Sequence, residues 1–162
     1  MIQDRGICYS SVPAYLVGSF IIIIKDIKCY SRLPDNTYAA PVKREHISRV
    51  DDTWPYKHSD SHFYFTTLAC NGLSYGLYSC NHELIAWVFI NEYNFLCHLF
   101  CEERFRRKGC AEYVMKWAVN EQLRDGNDVY AYVVEGNKKP LAFLRGRSRW
   151  HKLVYILLYI TL

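Results

Sequence analysis

The stretch FLCHLFCEERFRRKGCAEYVMKWAVNEQLRDGNDVYAYVV, residues 95–134, decides the fold. Its hydrophobic period changes twice. Phe95–Cys101 is a short apolar run of strand length. Cys110, Ala111, Val114, Met115 and Ala118 then recur at helical spacing, with Trp117 and Leu123 flanking the stripe. Glu112, Lys116, Asn120 and Glu121 fall mostly on the other side, and Gly126 stops the helix. Val129–Val134 is rich in β-branched and aromatic residues and reads as a strand. A strand, a helix and a strand in that order predict two parallel strands joined by a right-handed crossover.

Upstream, Leu84–Ile90 is almost continuously apolar, which fits a strand buried on both faces. Leu73–Ser79 reads as its neighbour across a tight turn at Asn81-His82. Asn91–Asn94 makes the next turn, so residues 73–101 form three antiparallel strands. Before them the pattern is weakly helical from Val42 to Trp54, closed by Pro55. Ser59-Asp60-Ser61 offers N-caps for a second helix through Ala69, and Asn71-Gly72 ends it. Ser31–Ala40, with Pro34, Asp35 and Asn36, looks like a linker. Asn137 to about Leu144 reads as a short helix, and Leu153–Leu162 as a last apolar strand. The expectation is a mixed α+β sandwich, with residues 1–37 as an N-terminal extension and 38–162 as the domain.

Composition limits the function. The 162 residues suffice for one domain with a real core. A net charge of +4 welcomes an anionic ligand but lacks the dense basic stripe of a nucleic-acid binder. The seven Cys show no C-x-x-C pair, and no H-x-x-x-H pair accompanies a third ligand, so no metal is expected. The cysteines read as reduced and mostly buried, which suits an intracellular protein. Val12–Ile24 is short of the about 20 apolar residues that span a bilayer, and Asp4 and Arg5 cancel where a signal peptide wants positive charge. A buried strand at Phe20–Ile24 is expected, with an uncleaved anchor or a misread gene start as the alternatives, and no membrane partner is expected.

Chemistry gathers at Arg106-Arg107-Lys108-Gly109-Cys110-Ala111, between a strand and the first turn of a long helix. A helix start has unpaired N–H groups and partial positive charge, both suited to phosphate. Gly109 admits a ligand close to the backbone, and the cations before it add attraction. The G-x-x-x-x-G-K-[ST] loop is absent. By itself, this segment fits a solvated basic turn about as well as a phosphate cradle.

In its context, Arg106-x-x-Gly109-x-Ala111 resembles the acyl-CoA pyrophosphate loop of the Gcn5-related N-acetyltransferase superfamily. The resemblance implies that Leu99, Phe100 and Cys101 bond the pantetheine arm through their backbone. It implies that Arg106, Arg107, Lys108, Gly109, Cys110 and Ala111 hold the pyrophosphate. Trp54-Pro55-Tyr56-Lys57-His58, Gly76-Leu77-Tyr78, Leu84–Val88, Arg106–Gly109, Asp128–Val134 and Asn137 are together similar to the C-terminal half of glycine N-acyltransferase-like proteins. The likeness covers roughly residues 38–144. It implies an acyl-CoA-dependent N-acyltransferase that moves an acyl group from acetyl-CoA or a longer acyl-CoA to the amine of glycine or a related small amine. It also implies a mitochondrial setting, with cytoplasm as the alternative.

Three departures accompany the likeness. The family's large N-terminal half has no counterpart in this sequence. Leu144-Arg145-Gly146-Arg147-Ser148-Arg149 stands where the family has a Gly-Phe pair. Phe95 stands where the glycine enzymes place a carboxylate base, and Phe cannot take a proton. These keep open a catalytically inactive or truncated CoA-binding domain. His98 and Glu92, each three residues from Phe95, are the candidate bases. On a regular strand neither shares a face with position 95, unless a bulge intervenes. Asn137 is a candidate for bonding pantetheine or for capping the short helix. Trp54 and Trp87 are core or acceptor-pocket residues. An acyl-cysteine at Cys101 or Cys110 would need a thiol of lowered pKa, and only the Arg cluster and the helix start could supply it.

Overall fold

The computed structural model describes residues 19–24, 32–134 and 153–157. Seven strands form one mixed sheet, in the order β2-β3-β4-β5-β6-β1-β7. In chain order they are β1 (Ser19–Ile24), β2 (Thr37–Ala40), β3 (Ser74–Ser79), β4 (Leu84–Ile90), β5 (Phe95–Cys101), β6 (Val129–Val134) and β7 (Leu153–Leu157). The helices are α1 (Ile47–Asp52), α2 (Ser61–Cys70) and α3 (Cys110–Arg124). The mixed α+β sandwich read from the sequence is the fold observed.

The sheet carries helices on both faces. On one side α3 packs over β3, β4 and β5. On the other, α1 packs on α2 and α2 on β4. Every residue of β4 is buried between the layers. Trp87 and Phe89 join the core under α1 and α2, while Val88 and Ile90 join the core under α3. Upstream this alternation breaks, because Tyr78 pairs with Leu84 but Leu77 with Ala86. Ile85 is the extra residue, so Ile85 and Ala86 both face α3.

The three antiparallel strands and the parallel step from β5 to β6 stand where the sequence places them. Gly126 follows α3 at φ 82°, a left-handed geometry that glycine adopts without strain. β1 runs antiparallel to both β6 and β7, between them.

Four expectations need correction. The linker Ser31–Ala40 ends in a strand: Thr37–Ala40 pairs with β3, and Tyr38 stacks on Tyr78 at 5.2 Å. Helical structure starts later than Val42, because buried side chains of β3 capture the backbone there. The Val42 N–H donates to Ser74 Oγ at 3.1 Å, and the Lys43 N–H to the Tyr78 hydroxyl at 2.9 Å. A short 3-10 helix over Arg44–His46 then leads into α1. At α2 the N-cap residue is Asp60, but its side chain makes no capping bond. The Ser61 hydroxyl instead donates to the buried Asp51 carboxylate. Finally, β3 begins at Ser74, one residue late, since the Leu73 N–H closes α2 on the Leu68 carbonyl. The expected helix from Asn137 lies outside the described residues, as does the end of the last strand beyond Leu157.

Candidate acyl-CoA fork and phosphate loop

β5 and β6 pair only at their beginnings. Phe95 faces Tyr130 and Leu96 faces Ala131, and among the described residues no pairing continues beyond them. From Cys97 onward the two strands part, and β6 turns its other edge to β1. Backbone N–H and C=O groups on the open edge of β5 are left to seek other partners. Leu99, Phe100 and Cys101 stand along this fork, and Leu99 is 37% exposed.

The strand is also deformed at this point. Trp87 faces Phe100 and Phe89 faces Cys97, so His98 and Leu99 together oppose Val88 alone. His98 takes φ 49°, the left-handed conformation of a bulge residue. This is the interruption that lets His98 escape the simple alternation of faces along the strand.

After β5 a short 3-10 helix covers Glu103–Phe105, and the loop then enters α3. Arg107 and Gly109 both have positive φ, 62° and 83°. A Cβ placed on Gly109 would meet nothing within 4 Å, so the space before it is open. Behind it, the first N–H groups of α3 have no partner within the helix. Arg106 folds back, and its Nε donates to the Cys101 carbonyl at 3.1 Å, joining loop to fork. Arg104 pairs with Glu83 at 2.9 Å, and Lys108 lies over the Phe105 ring. The structure thus brings the expected pantetheine and pyrophosphate residues into one continuous path. A cavity of about 920 Å³ opens beside the loop at Lys108, Gly109 and Cys110, extending toward residues 32–37. It is lined by none of Leu99, Phe100 and Cys101, so the cavity does not extend along the fork.

The candidate bases are placed apart. Glu92 sits in the exposed turn before β5 and accepts from the Tyr64 hydroxyl at 3.1 Å. That turn is at the closed end of the fork. Four residue steps along the strand, on the order of 13 Å, separate Phe95 from Leu99. His98 is at the open part but faces α1. Its Nε2 lies 2.8 Å from the Val50 carbonyl, which can only accept, so Nε2 carries the proton. The rings of Trp54, Phe65, Trp87 and Phe100 surround it. Burial lowers its pKa to about 4, against the opposing pull of the Val50 carbonyl and the Asp51 carboxylate. Such an imidazole is neutral at pH 7 and a weak proton acceptor. Phe95 stacks against Tyr130 at 5.2 Å.

Cys101 and Cys110 belong to the same core cluster under α3. Burial first, and then Cys110, pushes Cys101 up to about 11, and burial raises Cys110 as well. Both are protonated at neutral pH, which removes the basis for an acyl-cysteine. Trp87 is wholly buried, and Trp54 packs edge-on to Phe65 in the same core, so Trp87 is core and Trp54 lies at its edge. Among the described residues no group of three or more His, Cys, Asp or Glu is placed to hold a metal ion. Asn137 lies outside the described residues.

The sequence reading missed α1 as part of the site. Arg49 forms a two-point ion pair with Glu102 at 2.8 and 3.0 Å, and Val50 holds His98. Two adjacent residues of α1 therefore bracket the fork residues. No local signal announces this, because one contact uses a backbone carbonyl and both span about fifty positions.

Residues 74–146 match the family model described as FR47-like protein. No curated protein matches in sequence. Among solved structures, a Drosophila protein is 23% identical over 87% of this chain and 51% of its own, with a TM-score of 0.72. A GCN5-related N-acetyltransferase from Sphaerobacter thermophilus is 11% identical over 86% of this chain and 49% of its own, with a TM-score of 0.64. Arabidopsis thaliana Naa50, solved with a bisubstrate analogue of CoA, is 11% identical over 68% of this chain and 80% of its own, with a TM-score of 0.54. The chain spans about half the length of the first two. The family-model match runs from β3 past β6, and the chain shares its fold with the Gcn5-related N-acetyltransferase from Sphaerobacter thermophilus.

Proposed function

We propose that this chain is an acyl-CoA-dependent N-acyltransferase whose acceptor is the amine of glycine or a related small amine. The observation that carries the reading is the fork at Leu99–Cys101, joined through Arg106 to an open, glycine-capped helix start. Pantetheine amides would complete the strand edge that β6 leaves, and the pyrophosphate would meet the N–H groups after Gly109. The acceptor class comes from the resemblance to glycine N-acyltransferases.

In the reaction the amine nitrogen attacks the thioester carbonyl carbon, and a tetrahedral oxyanion forms. A backbone N–H near Leu99 is the proposed donor to that oxyanion. The C–S bond then breaks, CoA leaves as thiolate and takes a proton, and the amine nitrogen loses one. Neutral His98 with Nε2 engaged is a poor base, and Glu92 lies at the wrong end of the fork. Alignment of amine and thioester, with water as proton acceptor, therefore carries most of the rate.

A catalytically inactive CoA-binding domain is the second reading, favoured by Phe95 at the position of the expected carboxylate. Release of CoA thiol from acetyl-CoA and benzoyl-CoA, followed with a panel of amino acids and small amines, separates the two. Amine-dependent thiol release supports the transferase. Tight acyl-CoA binding with no release for any amine leaves the binding domain.

A further inference from the structure

We propose that His98 is a positioning residue that pins the bulge of β5 to α1 and so fixes the backbone at Leu99 in the fork. The inference rests on the acyl-CoA reading of that fork. Along most of β5 the backbone is held on one edge by β4 and, at its start, on the other by β6. At His98 and Leu99 both supports lapse: the ladder to β4 is interrupted by the bulge, and β6 has already parted. A positive φ at a non-glycine residue is retained only where its surroundings hold it. The hold here is the bond from Nε2 to the Val50 carbonyl at 2.8 Å, inside a cage of four aromatic rings. Downstream, the Arg49–Glu102 pair and the Glu102 N–H on the Ile85 carbonyl take over. Leu99 thus lies between two anchors, and the first of them depends on one imidazole.

His98→Asn and His98→Gln test this on the full chain. Asn tolerates positive φ but is too short to reach Val50, while Gln carries an amide N–H to about the place of Nε2. Three quantities are read: hydrogen exchange at the Leu99 amide without ligand, kcat, and the dissociation constant for acetyl-CoA. His98→Asn is expected to speed Leu99 exchange and lower kcat by at least about tenfold, with acetyl-CoA affinity within about threefold of wild type, because the phosphate loop is untouched. His98→Gln is expected to restore both. Unchanged exchange in His98→Asn overturns the proposal, as does an equal loss of kcat in folded Asn and Gln variants, which would mean packing alone. If His98→Asn does not fold, a tenfold loss of kcat in folded His98→Gln overturns it equally. Wild type that binds no acetyl-CoA sinks the acyl-CoA reading instead, and Leu99 exchange still decides the tether.

Discussion

His98 Nε2 lies 2.8 Å from the Val50 carbonyl oxygen, joining the interrupted strand β5 to the short helix α1 across forty-eight positions of sequence. A bond between a half-buried imidazole and a backbone acceptor is felt in two ways, through the geometry of the fork and through the proton that the imidazole refuses.

The second effect gives a pH dependence. His98 holds a pKa of about 4 in the folded chain, below its ordinary 6.5. Between these values the unfolded chain binds a proton that the folded chain does not, so stability falls as pH falls through that window. The full contribution is about 3 kcal/mol and is present above the ordinary histidine value. The Asp51 carboxylate is the charge acting on His98. Burial pushes Asp51 up, but Ser61 and Lys57 outweigh it and hold the carboxyl below its usual range, so its own loss comes only in stronger acid. Urea unfolding at pH 7, 5.5 and 4.5 should show a clear drop for wild type and a flatter profile for His98→Gln. Parallel profiles would assign the drop to other groups.

Helix α3 contains a testable ion pair. Lys116 Nζ is 2.6 Å from Glu112 Oε1, and the Lys116 side chain is almost fully buried. Glu112→Gln leaves that ammonium without its carboxylate and should cost about 2 kcal/mol, less than a fully buried pair because Glu112 is partly exposed. Adding Lys116→Met should recover most of the loss, as removal of both charges also removes the desolvation cost. A double-mutant cycle by urea unfolding reads the coupling, and additive losses would show that the two residues act separately.

The cysteines should sort by reactivity. Cys70 and Cys80 are exposed, whereas Cys97 is pushed up to about 12 by burial and by Glu92. Cys101 and Cys110 are also raised. Iodoacetamide at pH 7 should modify Cys70 and Cys80 well before these three, as read by peptide mass mapping. Cys110→Ala should retain amine-dependent thiol release. Rapid labelling of Cys101 or Cys110, or a trapped acyl-cysteine, would contradict the protonated thiols described above.

Much of the architecture was legible because it rests on local periodicity. β4 reads as buried because its seven residues are almost all apolar, and α3 because its stripe begins at Cys110 and stops before Gly126. β2 escaped because Thr37–Ala40 is short and follows turn residues, and only pairing with β3 makes it a strand. The start of α1 was misplaced because its competitors, Ser74 and Tyr78, lie more than thirty residues away. The turn at Arg106–Ala111 was legible because Gly109 marks it, and the structure has Gly109 as the left-handed N-cap of α3. The fork at β5 and β6 follows from where pairing stops, and the role of His98 from a bulge and a carbonyl that no motif encodes.

The central claim is that the loop ending in Gly109 holds the pyrophosphate of an acyl-CoA. Calorimetry of acetyl-CoA and benzoyl-CoA with wild type and Gly109→Trp tests it most directly. The large ring would occupy the open space before Gly109, and the left-handed φ of 83° would be strained by any side chain. Wild type should bind, and the folded variant should bind at least about tenfold more weakly, since it loses its close approach to the helix-start N–H groups. Equal binding by the two proteins, or none by folded wild type, would contradict the account.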